Sequence, residues 1–207
     1  MYKNVILLLL LTPAFTDSPI TSTVFYENFL DIEIIKDANI SKKLDEKGCN
    51  YLSSESVYIE NKLALINALS WIYPEGGKVP LYNFNIFSDY LSKKYNQKFD
   101  LETANLYTDH EYICLAYLRA MDDYFNMEVP YLLIQKVSDD AKNALSYNII
   151  KSLIETQEIL SDMDQWCMIW KNYDSVINNK NFVRDLGDGT IKNISSYMLP
   201  YNYYCKK

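Results

Sequence analysis

The sequence predicts a mainly α-helical, single-domain, bundle-like protein of about five amphipathic helices with a small C-terminal β-hairpin. Three observations carry that expectation. Apolar residues recur three and four positions apart through most of the chain. Capping residues stand in front of those runs. Near the end, two short β-prone runs flank an Asp-Gly pair, which is a hairpin signal. The 207 residues are 49% hydrophobic and 23% charged, with only 5 Gly and 6 Pro, so a substantial core is affordable and disorder is disfavoured.

Residues 1–14 read as a secretory signal. Lys3 precedes Val5, Ile6 and the leucines from Leu7 to Leu11, and Ala14 offers a small residue for cleavage, with Thr12 two positions before it. A bilayer span needs about 20 apolar residues, so no stable membrane span is expected after processing. Residues 15–207 are expected as one helical domain in the periplasm or outside the cell.

Val24-Phe25-Tyr26 and Ile32-Glu33-Ile34-Ile35 have strand character without clean alternation. Ser41, then Lys42 to Lys47 and Gly48, reads as a short capped helical turn with a glycine stop. Ser53 or Ser54 is expected to cap a helix running to about Tyr73, with Tyr58, Leu65, Leu69, Ile72 and Tyr73 on one face. Pro74 ends it and Gly76-Gly77 forms a loop. Asn83 or Asn85 starts a helix carrying Phe84, Phe87, Leu91 and Tyr95.

The clearest pattern follows. Thr108 and Glu111 form a capping box. Ile113, Ala116, Tyr117, Ala120, Met121 and Tyr124 then make one continuous apolar stripe. Pro130 reads as a boundary. Ser138 with Asp139 and Asp140 is expected to begin a helix with Leu145, Ile149, Leu153, Thr156 and Leu160 on its face, the acids suiting the positive end of the helix dipole. Asp164 caps a stretch in which Trp166, Ile169, Trp170, Tyr173 and Ile177 repeat the stripe. The hairpin is expected from Phe182-Val183-Arg184 and Thr190-Ile191-Lys192 around Gly187-Asp188-Gly189. The aromatic tail from Tyr197 to Cys205 is expected to pack back on the body.

The net charge is −7 and the pI about 4.8, which disfavours nucleic acid and anionic lipid and suits a basic protein partner. Nineteen Tyr against two Arg, Arg119 and Arg184, is explained by genome base composition more readily than by a binding surface. In an exported chain the four cysteines, Cys49, Cys114, Cys167 and Cys205, read as two disulfides. Three connectivities are open; Cys49–Cys114 with Cys167–Cys205 is preferred, the second tying the tail to a helix.

The single histidine, His110, excludes zinc sites that need two or three histidines. No Gly-x-Ser-x-Gly elbow, phosphate-cradling loop or dinucleotide fingerprint is present. Neither metal nor cofactor is expected. Asp109-His110-Glu111, with Cys114 one turn later, admits an acid/base cluster completed by Asp122 or Asp123. The reading given more weight is that Asp109 and Glu111 serve the first helical turn and that Arg119 pairs with Asp122 or Asp123 in a solvated ion pair. Asp185, Asp188 and Thr190 lack the ligand pattern of a calcium loop and suit a turn. The sequons Asn39-Ile40-Ser41 and Asn193-Ile194-Ser195 are chance matches in an Asn-rich chain.

Tyr112-Ile113-Cys114-Leu115-Ala116-Tyr117-Leu118, ending at Asp122, resembles a helix of some periplasmic immunity proteins that neutralise injected toxins. The resemblance covers residues 112–122 and stops there. It implies a small exported, helical, disulfide-bonded inhibitor. Acidic charge, disulfide-type cysteines, a single histidine and the lack of a catalytic motif make the expected function an exported, non-catalytic protein-binding module of inhibitor or immunity type. The second reading is a secreted wall-glycan hydrolase using Glu111 with Asp109, Asp122 or Asp123. The third is a structural envelope component exposing aromatic surface at Tyr197, Tyr201, Tyr203 and Tyr204.

Overall fold

A computed structural model describes residues 18–71, 82–102 and 106–206. The expected leader, Pro74 and Gly76-Gly77 lie outside the described residues. The described chain is mainly helical, with no named strand. The helices are more numerous and shorter than expected: α1 (Pro19–Ser22), α2 (Glu33–Ser41), α3 (Glu46–Ser53), α4 (Ile59–Leu69), α5 (Tyr82–Lys94), α6 (Asp109–Asp122), α7 (Glu128–Gln135), α8 (Leu145–Ile159), α9 (Trp166–Ile177) and α10 (Asp188–Met198). No described helix is long and apolar enough to cross a membrane.

The core is organised around α6. Its capping box is present in both halves: Glu111 N–H donates to Thr108 Oγ1 at 3.3 Å, and Thr108 N–H donates to Glu111 Oε2 at 2.9 Å. Every residue from Glu111 to Asp122 is buried, so the expected one-sided stripe understates it. A helix covered on all sides is the centre of a bundle, and α6 packs against α3, α4, α5, α7 and α8. Tyr117, fully enclosed, accepts a hydrogen bond from Asn67 Nδ2 at 3.0 Å. The Asn67 carbonyl oxygen takes the N–H groups of Phe25 and Tyr26, so one buried amide pins the N-terminal segment to α4.

Several local expectations are corrected. Ile32 precedes α2, and Glu33-Ile34-Ile35 is helical, not extended. The break after Ser41 is made by Lys42 in the left-handed conformation, φ 54°. Gly48 is not a stop. It lies inside α3, where a Cβ would sit 2.7 Å from Leu44 Cδ1, and its N–H donates to the capping Asp45. Ser53 and Ser54 end α3 instead of starting α4. Pro130 lies within the first turn of α7, where its missing N–H costs nothing. Ser138 to Asp140 lead into a short 3-10 turn, and α8 starts only at Leu145.

The hairpin is the largest correction. Asp188 does not have the positive φ that a tight Asp-Gly hairpin turn needs at its central residues. Asp188-Gly189-Thr190 is instead the first turn of α10. Tertiary contact decides this: Glu60 Oε1, on α4, accepts from Gly187 N–H at 2.7 Å and from Thr190 Oγ1 at 2.6 Å. A carboxylate from 127 residues away thus serves as the cap. Val183 keeps only an isolated parallel bridge to Ala144.

The tail does pack back. Residues 199–206 form a 3-10 segment in which Tyr201 is buried and Trp166 meets the rings of Tyr201 and Tyr204 edge-on. Cys167 and Cys205 form a disulfide that ties this tail to α9. Cys49 and Cys114 are free thiols, each buried, so the second expected bridge is absent. Enclosure in apolar surroundings pushes both thiols up to about 12. They therefore behave as small core hydrophobes.

Candidate functional site

The acids considered for catalysis are each held by the fold. Glu111 is fully buried and accepts from Thr108 N–H, from Tyr95 Oη at 2.8 Å and from Lys94 Nζ at 2.8 Å. Asp109 accepts from Ser138 through both oxygens, from N–H at 2.7 Å and from Oγ at 2.8 Å. Asp122 Oδ2 accepts from Phe84 N–H at 2.8 Å and so caps α5. Burial outweighs these donors and Arg119, and raises the Asp122 carboxyl to about 7. Asp123 pairs with Arg119 at 3.2 Å; Arg119 is buried, so the pair is not the solvated one expected.

Geometry also separates them. Glu111 and Asp122 are eleven positions apart on one straight helix, which is about 16 Å along the axis. Paired glycosidase carboxyls stand about 5–10 Å apart. Asp109 and Glu111 are two positions apart, on opposite sides of the same first turn. The tail tyrosines are divided as well: Tyr201 is core, Tyr197 and Tyr204 are half-buried, and only Tyr203 projects, at 69% exposure. Asp185 and Thr190 have structural partners, Asp185 Oδ1 accepting from Ser146 N–H at 2.8 Å at the start of α8. Among the described residues no group of three His, Cys, Asp or Glu is arranged to hold a metal ion.

The fold does bring His110 into a cleft. Two cavities share Glu55 and His110 as walls. The larger one, about 740 Å³, runs between the α3–α4 connection and the turn at Arg184 to Gly187. The smaller one, about 270 Å³, is bounded by Lys62, Thr108, Asp109 and Ala141. Tyr58 stands on the rim of the larger one at 81% exposure. The rim is rigid, because Glu60 ties its two sides together and Asp185 anchors the turn to α8.

Lys62 is the unusual residue of this cleft. It is 1% exposed, yet no hydrogen bond or ion pair joins its ammonium to any described residue. Lysine is almost never fully buried unless paired. Burial lowers its pKa, opposed by Cys114, Glu111 and Glu55. His110 is lowered too, by burial first and then by Lys62, with Asp185 and Asp109 opposing. Sequence reasoning passed over Lys62, although a signal existed. It lies three positions after Ile59 and three, four and seven before Leu65, Ile66 and Leu69, on the apolar face of its helix.

Compared with protein-family models, with curated proteins and with solved structures, the chain matches none.

Proposed function

We propose that the protein is an exported, non-catalytic module that binds another protein through the cleft around His110. The observation that carries this is Tyr58. A large aromatic left 81% exposed, on the rim of a groove whose walls are hydrogen-bonded in place, is what a preorganised binding anchor requires. The acidic balance of the chain favours encounter with a basic partner and makes the association rate salt-sensitive. The hydrolase reading draws less support. Its acids are spent on helix ends and on buried partners, and Glu111 and Asp122 are too far apart along α6 to act on one bond.

The test is a photo-crosslinking residue at position 58, compared with one at Ile40, which is 74% exposed on α2. The expected result is covalent capture of one protein from the exported fraction at position 58, weakened by added salt. Absence of capture at 58, or equal capture at 40, refutes the binding surface. Intact mass of the mature chain tests export, with loss of residues 1–14 expected.

A further inference from the structure

We propose that the smaller cavity is a carboxylate-binding site, in which Lys62 supplies the charge and the start of α6 supplies directed hydrogen bonds. Two independent observations meet there. The first is the buried, unpartnered ammonium of Lys62, which lines the cavity. The second is the N-terminus of a helix from Asp109 to Asp122, whose Thr108, Asp109 and His110 form the opposite wall. The first N–H groups of a helix have no acceptor within it. The Thr108 hydroxyl satisfies that of Glu111, which leaves those of Asp109 and His110, two residues that line the cavity, without an acceptor inside the helix.

The charges of the lining select the ligand. No described acceptor pairs with the Lys62 ammonium, and its charge makes a cation unsuited to the space beside it. Asp109 accepts from Ser138 through both oxygens and forms no ion pair with the ammonium. It nevertheless leaves a negative charge nearby, as does Glu55, exposed at the mouth. A singly charged, planar carboxylate meets one lysine and a helix start on favourable terms. A sulfate dianion doubles both the attraction to Lys62 and the repulsion from Asp109 and Glu55, and because the two acids outnumber the lysine the balance turns against it. This inference is independent of the protein-binding reading. A free small carboxylate and a carboxylate carried by a docked protein segment present the same group.

The assay uses the whole mature chain and its only histidine, whose imidazole gives one NMR signal beside the site. Acetate is exchanged for chloride at fixed ionic strength near pH 6. The expected result is a saturable shift of the His110 signal toward its protonated position, with affinity at least tenfold weaker in Lys62→Met and in wild type titrated with sulfate. A parallel titration with the blocked peptide acetyl-Lys-Glu-Lys-amide separates the two sources. Binding at least tenfold tighter than acetate assigns a protein-borne carboxylate; equal or weaker binding assigns a free small acid. No saturable shift with either probe, an unchanged affinity in Lys62→Met, or sulfate binding as tightly as acetate overturns the proposal. If Lys62→Met does not fold, the Lys62 Cε resonance of lysine-labelled wild type gives the same reading: it moves with acetate at the same midpoint as His110, or the proposal fails.

Discussion

Replacing Asp122 by asparagine is expected to stabilise the protein at alkaline pH while leaving it unchanged in acid. Asp122 is 7% exposed, and its Oδ2 accepts the Phe84 N–H at 2.8 Å. An asparagine carbonyl keeps that acceptor without the buried charge. The carboxyl is raised from 3.8 to about 7 in the folded protein, roughly three pH units, which corresponds to about 4 kcal/mol. The sign follows from proton counting. Between pH 4 and 7 the folded state holds the proton and the unfolded state has lost it, so this group's stabilisation is complete in acid and declines as pH rises. His110 acts in the opposite direction: its lowered pKa contributes stability present above about 6.5 and lost as pH falls below. The difference between wild type and Asp122→Asn therefore isolates the carboxyl. Urea unfolding at pH 4, 6 and 8 with a common m-value should give a stability gain for the variant near zero at pH 4, rising toward about 4 kcal/mol at pH 8. A variant that parallels wild type across this range, or that is less stable at pH 8, refutes the claim that burial governs this carboxyl.

Three further outcomes are expected. Glu60→Ala removes the acceptor for Gly187 N–H and Thr190 Oγ1 and should cost about 1–3 kcal/mol in urea unfolding, with protection of α10 amides against hydrogen exchange falling first. Replacing Cys167 and Cys205 together by serine opens a loop of sequence separation 38 and should cost up to about 4 kcal/mol, read as a lower urea midpoint. Thiol titration without reductant should find almost no reactive group in the native protein and two after denaturation, Cys49 and Cys114, since both are buried and raised to about 12.

Legibility in the sequence followed the range of the interactions. The α6 capping box is complete within four residues, Thr108 to Glu111, and was readable because its donors and acceptors are local. The stripes of α5, α6, α8 and α9 were readable for a similar reason, since helical periodicity reports which face is apolar. Boundaries were less secure. Ser53 and Ser54 suit either end of a helix in composition, and only packing assigned them to the close of α3. At the candidate site the sequence marked Asp109, His110 and Glu111 as a group; the cleft keeps His110 and Asp109 together, adds Lys62 and Glu55, and leaves Glu111 paired with Lys94 and Tyr95.

From its own residues the chain determined that it would be helical, where the central helix begins, and that its tail would return to the body. Those outcomes depend on periodicity, local caps and aromatic burial. Tertiary structure alone decided that Asp188-Gly189 opens a helix and not a hairpin, because the deciding carboxylate, Glu60, arrives from α4. It likewise decided that one cysteine pair closes while the other stays reduced, and that Lys62 is enclosed beside the only histidine. A backbone donor accepts whichever carboxylate packing delivers, and spacing along a chain carries no record of that delivery.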